Sequence, residues 1–502
     1  MHPILPRTHP KRVRSDAKEH HVKARIAWAG LAGVVGYLAF VEFTSGVLQG
    51  YYTPMLTDIA RHLGIPDADV NWLEGTQLML SALVVPAFAK LGDMFGHKRM
   101  LLISTALTAL ASFALPFSDS FGVFLTAWAL QGFYVVWLPM EIALIFSRTR
   151  GVEGRAQITA RAAGILVASL EGGAILGALL GGALIDALPL TVVLLVPAIL
   201  VALCFFVILF GVTESPEHTG GRLDTVGLVL ISVALIAFTG GLSMLRLNGP
   251  GDLVSILVTM VGVALVIPFV LWELRQDDPL IDVRMFRNPA LGPVFVTAGL
   301  FGVSVLGGQA PLSTFARTDP TVTGYGLGTQ GFATSLIIGI YLIAMITGAL
   351  LFPVIGRLLS PRLALIGAAL LVCVGFALFL PLHGTYAQVI INMVIVGLGS
   401  GALVAALPSA AAAAAPAAQT GVATGLTNSV KTVGGAIASC VFGIALLHGA
   451  TGAAANPDQT AGSLSGYMTV WAVCSATALV AAIFLCFVPK QAFRDQEQPV
   501  TV

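Results

Sequence analysis

The chain has 502 residues, of which 57% are apolar types and only 10% are charged, and its mean hydropathy is +0.90. Soluble domains carry roughly 25% charged residues, so this composition excludes a soluble enzyme, a disordered protein and a nucleic-acid binder. It points to a polytopic membrane protein. The net charge of +1 excludes nothing further, and the placement of the charges carries the information.

Runs of about 20 apolar residues predict fourteen membrane spans, at 27–49, 72–90, 99–117, 121–146, 161–185, 189–212, 224–246, 252–273, 289–312, 331–355, 361–381, 386–408, 421–447 and 465–488. An even number puts both termini on one face. The N-terminal tail holds Arg7, Lys11, Arg12, Arg14, Lys18, Lys23 and Arg25, which assigns it to the cytoplasm. The tails and loops on that face then hold 22 of the Lys and Arg residues, against three (Arg61, Arg246 and Arg317) on the other, with Lys431 inside a span. A miscount by one span would scramble that asymmetry.

Four charges lie well inside spans, where each costs at least about 2.5–3.5 kcal/mol at the bilayer centre. In chain order, Glu42 comes first and shares a helical face of span 1 with Ser45 and Gln49. It reads as a proton carrier or the counter-charge of a cation, or as a neutral, hydrogen-bonded structural carboxyl. Between spans 2 and 3 a short loop carries Asp93, Gly96, Lys98 and Arg99. The glycine suits a tight turn, and the acid and the basic pair can bridge neighbouring helix ends as a reversible latch. Span 4 holds Gln131-Gly132 and later Pro139. Further along it, Glu141 follows Tyr134 and Trp137 at seven and four residues. An acid beside two rings suits a lipophilic cation; the alternative is a carboxyl reaching back to the surface. In span 5, Glu171 stands near the middle, beside a stripe of Gly173, Gly177 and Gly181 followed by Gly182. Such a stripe lets another helix approach closely, and a carboxyl that titrates near neutral pH is what a proton-coupled carrier needs. In span 13, Lys431 shares a face with Asn428 and Gly435. It pairs with a glutamate across the molecule, contacts anionic lipid, or binds an anionic substrate. The five cysteines fall inside spans and read as packing residues. No Walker loop, metal-ligand cluster, nucleophile elbow or haem motif occurs, so neither metal nor cofactor is expected.

These motifs carry a resemblance. Asp93, Gly96 and Lys98 match the signature loop of the major facilitator superfamily, G-x-L-x-D-x-x-G-R-K/R, with Ala89 and His97 as departures. The span 5 glycines resemble the superfamily's antiporter motif, with Ala178 where the proline would stand. Gln131-Gly132 is similar to the R-x-x-Q-G motif, with Trp128 in the arginine's place. Arg222-Leu223-Asp224, the stretch from Asp278 to Arg287 and the stretch from Thr427 to Gly435 all resemble the fourteen-span drug:proton antiporter branch. Gly356, Arg357, Pro361 and Arg362 echo the signature loop after span 10, without its Asp.

The resemblance implies an all-α membrane protein with two six-helix halves and an inserted helix pair. The expected division is a cytoplasmic basic tail at 1–26, halves at 27–212 and 289–489, the inserted pair and its loops at 213–288, and a second cytoplasmic tail at 490–502. It implies a monomeric exporter of the bacterial inner membrane, exchanging protons for a hydrophobic, cationic small molecule by alternating access. The other reading is a symporter, facilitator or lipid transporter on the same fold.

Overall fold

The computed structural model describes residues 10–149, 155–214, 223–249, 251–277, 279–415, 420–448 and 461–488, with the backbone alone at 10–30, 155–157, 160 and 420–421. The basic residues Arg7, Arg150, Arg222, Lys490 and Arg494, the motif residue Asp278 and the tail at 490–502 lie outside the described residues. Among those described, fourteen helical segments are long and apolar enough to cross a membrane. Spans 1 to 7 are Leu31–Leu63, Asp67–Phe95, His97–Phe117, Phe121–Arg148, Arg161–Ile185, Leu190–Gly211 and Thr225–Asn248. Spans 8 to 14 are Leu253–Glu273, Gly292–Arg317, Gly331–Leu358, Pro361–Leu378, Tyr386–Ala414, Val422–Leu447 and Leu464–Phe487. In hydrocarbon every backbone polar group needs an internal partner, which a helix supplies within one segment.

Each span overlies one expected run, with the largest differences at the ends. Span 1 continues past 49 to Leu63 through a one-turn 3₁₀ segment, Thr53–Met55, that contains Pro54. It stops at Gly64, whose φ of 63° takes the left-handed conformation that turns its amide back onto the carbonyls of Ala60 and Arg61. At its other end the first helix begins at Pro10, so much of the expected tail continues the helix. Span 9 runs to Arg317 rather than 312. We name the face carrying the loop between spans 2 and 3 the loop face, and the opposite one the far face.

Spans 1–6 pack around one apolar core that includes Leu38, Tyr51, Phe124, Trp128 and Trp137. Spans 9–14 pack around another, with Phe295, Phe315, Phe379, Tyr467 and Trp471. Spans 7 and 8 lie outside both. Span 7 fills the seam between spans 2 and 13, where Leu242 meets Trp72 and Cys440, and Leu235 meets Met79 and Ala436. Arg246, near the far end of span 7, pairs with Asp69 and lies over the Phe121 ring at 5.3 Å. At the loop face, Asp224 caps span 7 through the Gly227 amide (2.8 Å) and accepts from the indole of Trp272 on span 8 (2.9 Å). Glu273 accepts from Ile281 N, and Arg284 donates to the carbonyls of Leu274 and Gln276. Two of the three stretches that resemble the fourteen-span branch thus clasp the inserted pair.

Within each core two helices touch backbone to backbone. A Cβ on Gly46 would stand 1.8 Å from the Leu170 carbonyl oxygen, and one on Gly50 would stand 2.1 Å from that of Ala174. Reciprocally, Cβ atoms on Gly173 and Gly181 would stand 2.0 and 2.1 Å from the carbonyls of Phe43 and Tyr51, and one on Gly177 would stand 2.8 Å from Val47 Cα. The expected stripe is therefore the seam of spans 1 and 5. Spans 9 and 13 repeat it: a Cβ on Gly302 would stand 1.9 Å from the Lys431 carbonyl oxygen, and one on Gly434 would stand 2.1 Å from that of Gly299. Inside a bilayer such pairs are held by van der Waals contact, which small residues maximise. Gly173→Ala should destabilise the protein by about 1–3 kcal/mol. Gly172→Ala, where nothing lies within 4 Å of the added carbon, should not. Thermal unfolding of the two variants in detergent checks this, and equal midpoints would refute the seam.

Candidate functional site

Hydrogen bonds and ion pairs joining spans 1–6 to spans 9–14 gather on the far face. The Arg317 guanidinium, at the end of span 9, donates to both carboxylate oxygens of Asp58 on span 1, at 2.7 and 2.8 Å. It also donates to the Thr329 carbonyl at 3.3 Å. Ser313 donates to the Thr53 carbonyl. Asp186, just past span 5, accepts from the amides of Gly331 and Phe332, both at 2.8 Å, and so caps the start of span 10. Below these contacts Gly182 abuts Ser335 and Gly331, while Gly75 of span 2 abuts Ala436 and Cys440 of span 13. The two cores are thus closed against each other at the far face.

Glu42 and Glu141 lie inside the first core, each 0% exposed. They stand within electrostatic reach of each other, and Cys204 lies within reach of both. None of the four carboxyl oxygens has a hydrogen-bond partner. Glu141 is buried in the core, so the alternative of a carboxyl reaching to the surface does not describe it. Cys204 donates to Thr44 Oγ1 at 3.0 Å, which ties span 6 to span 1 beside the pair.

Span 4 breaks above Glu141. Its helix ends at Gln131, a 3₁₀ segment runs Gly132–Val136, and an α-helix resumes at Trp137. Pro139 falls in the first turn of the new helix, where its missing N–H is not needed. Two carbonyls at the break are taken up by span 2, from Gln77 Nε2 to Trp128 O (3.3 Å) and from Ser81 Oγ to Gly132 O (3.1 Å). Gln131 donates to Tyr52 Oη and to Ser112 Oγ, both at 2.8 Å, and ties spans 1, 3 and 4 together. Trp128 packs against Tyr52 and Phe124 at ring distances of 4.8 and 5.9 Å. Tyr134 meets Trp137 edge-on at 6.2 Å and lies within electrostatic reach of Glu74, Tyr52 and Glu42. Glu74, on span 2, is a charge that hydropathy reading missed. The expected run begins at 72 and leaves Glu74 at its very edge, whereas the span begins at Asp67 and carries Glu74 further in.

Between the two cores the structure brings together Glu171 and Lys431. Each is within electrostatic reach of the other, and Tyr341 of span 10 is within reach of Glu171. Lys431 and Asn428 line a small recess with Phe301, Leu403 and Leu407. Of the partners proposed for Lys431 from sequence, Glu171 is the glutamate that faces it.

The signature loop bonds to the end of span 6. Gly96 has a φ of 104°, and a Cβ there would stand 2.6 Å from the Glu214 carboxylate. That carboxylate accepts from the amides of Lys98 and Arg99, each at 3.1 Å, at the N-terminus of span 3. Lys98 Nζ donates to the Leu209 carbonyl at 2.9 Å, and Asp93 faces His97 at 3.4 Å. Glu214 was not anticipated, because it lies 116 residues along the chain from Lys98 and belongs to no loop motif. The echo after span 10 makes the corresponding tie: Arg362, at the start of span 11, donates to the Cys486 carbonyl at the end of span 14.

Fourteen helical spans, twelve of them around two cores, with charges buried between and within the cores, define a polytopic membrane transport fold. The Major Facilitator Superfamily model matches residues 38–439, and the chain belongs to that family. It is accordingly a transporter of small molecules, in a family whose members are in general not enzymes. Similar proteins include the puromycin resistance protein pur8 of Streptomyces alboniger, 26% identical over 91% of this chain and 90% of that one. The multidrug resistance protein Stp of Mycobacterium tuberculosis is 26% identical over 78% and 71%. The cephamycin export protein CmcT of Amycolatopsis lactamdurans is 26% identical over 80% and 81%. Among solved structures, the POT family transporter PepTSo superposes with a TM-score of 0.65 at 14% identity, covering 90% of this chain and 97% of that one. The nucleoside transporter NupG gives 0.59 at 13%, covering 92% and 98%.

The far-face pair yields a prediction. Removing one partner of a buried ion pair strands the other charge, at a cost of up to about 3–5 kcal/mol, and less here because Asp58 is partly exposed. Arg317→Gln should therefore destabilise the protein more than the double variant with Asp58→Asn. Both should raise the labelling of a cysteine placed at buried Ser313 by a membrane-impermeant maleimide. Unchanged labelling would mean that the pair does not hold the far face shut.

Proposed function

We propose that the chain is a proton-coupled antiporter that exports hydrophobic small molecules, cations among them, across the bacterial inner membrane. The observation that carries this reading is the set of buried carboxyls, Glu42 and Glu141 without hydrogen-bond partners inside the first core and Glu171 between the cores. Unpaired buried charge is expensive, so such groups suit reversible proton loading. The names of the similar proteins, which are resistance and export proteins, support the direction of transport. The Lys and Arg asymmetry supports cytoplasmic termini, which makes the far face the outside and the described conformation one that is closed to the outside.

In this reading residues 27–212 and 289–489 rock as two bodies within one monomer. The segment 213–288 rides between them, and the tails 1–26 and 490–502 stay cytoplasmic. A carboxyl takes a proton from outside, the bodies rock inward, the proton leaves, and cargo takes its place before the return. Competition for the same carboxyl enforces exchange. Tyr134 and Trp137 serve the Glu42–Glu141 pocket, Gln131 holds its walls, Asn428 and Lys431 belong to the cargo side, and Asp93, Gly96, Lys98 and Arg99 form the inner latch with Glu214.

A second reading, transport without proton exchange on the same fold, has one observation in its favour. Trp128 fills the place of the family's arginine with aromatic packing. Flux in proteoliposomes under an imposed pH gradient, with lumenal pH recorded, separates the two. Antiport predicts cargo-dependent proton counterflow that Glu171→Gln or Glu42→Gln reduces by tenfold or more, about 1.4 kcal/mol in barrier terms. If the triple change of Glu42, Glu141 and Glu171 to Gln left proton-driven efflux intact, the antiport reading would fall.

A further inference from the structure

Resting on the antiporter reading, we infer that the preferred cargo is a zwitterionic amphiphile, its acidic end held by Lys431 and its basic end by Glu171.

The argument starts from depth. Gly46 of span 1 packs on the Leu170 carbonyl, and Gly302 of span 9 packs on the Lys431 carbonyl. Spans 5 and 13 therefore present Glu171 and Lys431 at corresponding depths, one from each core. The two side chains feel each other's charge. Among the described residues, neither makes a hydrogen bond or an ion pair, with the other or with any third group. Two opposite charges at mid-membrane, facing across a gap that they do not close, form a dipole in want of a partner. A direct pair would lower the cost of burial, so the gap itself calls for a ligand.

Charge then selects the ligand. A plain cation drawn to Glu171 is repelled by Lys431, and a plain anion drawn to Lys431 is repelled by Glu171. A molecule with both charges satisfies both and leaves the site neutral. The recess beside Lys431 is walled by Phe301, Leu403 and Leu407, with Asn428 as a further polar group. That wall offers an apolar surface behind the acidic head, and the recess, about 20 Å³ in this conformation, must widen to admit the rest of the body. Exchange survives, because the basic end still competes with a proton for Glu171. Tyr341 lies within electrostatic reach of Glu171.

Rhodamine B and its ethyl ester test this. They share one aromatic body, but the acid is a zwitterion and the ester a cation. Binding to the purified full chain is read by dye fluorescence, and lumenal pH is recorded in proteoliposomes. The native protein should bind the acid about tenfold tighter than the ester, the scale of one charge-assisted hydrogen bond. Lys431→Gln should erase that preference by weakening the acid alone, and Lys431→Arg should keep it. The swap of Glu171→Lys with Lys431→Glu should restore it, which guards against a variant that merely folds badly. Equal or tighter binding of the ester, or a loss in Lys431→Gln shared equally by both dyes, would overturn the inference. Proton counterflow driven by the ester without preference for the acid would sink the zwitterion alone. Preference for the acid without counterflow from either dye would sink the antiport reading instead.

Discussion

Spans 1 and 5 touch without side chains between them, and most of the arrangement depends on that contact. Where a Cβ would come within about two ångströms of a carbonyl, only glycine fits, and the helices are locked in register by their own backbones. The register sets which residues flank the seam. Glu42 precedes Phe43, whose carbonyl receives Gly173, and Glu171 follows Leu170, whose carbonyl receives Gly46. One helix pair thus points one carboxyl into the first core and another into the space between the cores. Spans 9 and 13 repeat the device around Gly302 and Gly434 and place Lys431 in the same way. A bulkier residue in either seam would shift the charges as well as loosen the helices.

The charges fall into two kinds. At the far face Asp58, Arg317, Asp186 and Asp69 have partners at hydrogen-bonding distance. Such contacts hold a conformation, and they sit where water can reach them when the face opens. At mid-membrane Glu42, Glu141, Glu171 and Lys431 lack direct partners among the described residues. Retaining unpaired ionisable groups at that depth costs stability, which a purely structural design would avoid. The two kinds differ physically: satisfied pairs hold the far face together, whereas the unsatisfied groups keep their desolvation cost, which is what suits them to the proton and cargo roles proposed above.

Hydropathy made the spans legible, because each needs a long apolar run whatever its partners are. The antiporter glycines were legible too, since a four-residue period on a helix is itself a packing statement. Asp58, Arg317 and Glu74 were not. Asp58 and Arg317 lie where a helix continues beyond its apolar stretch, so a local average of hydropathy ends the span before the helix ends, and Glu74 stands only two residues inside the edge of its run. Glu214 was hidden for another reason. Its partners, the amides of Lys98 and Arg99, are distant in sequence and carry no side-chain signature. The signature loop reads as a latch of its own charges, yet the carboxylate that fills its turn comes from the end of span 6.

The inserted pair shows how an added element settles on a moving scaffold. Span 7 covers the seam of spans 2 and 13, the line along which the two cores part. Its strong anchors lie on one side only: Arg246 holds Asp69 of span 2 and covers Phe121 of span 4. Toward span 13 it offers Leu235, Phe238 and Leu242 against Ala436, Cys440 and Ile444, an apolar contact. An apolar contact of that kind can slide, because no directional bond has to break. The clasp of Asp224, Trp272 and Glu273 keeps span 8 fixed to span 7. Anchored on one core and greased against the other, the pair can keep lipid out of the seam without bolting the cores together.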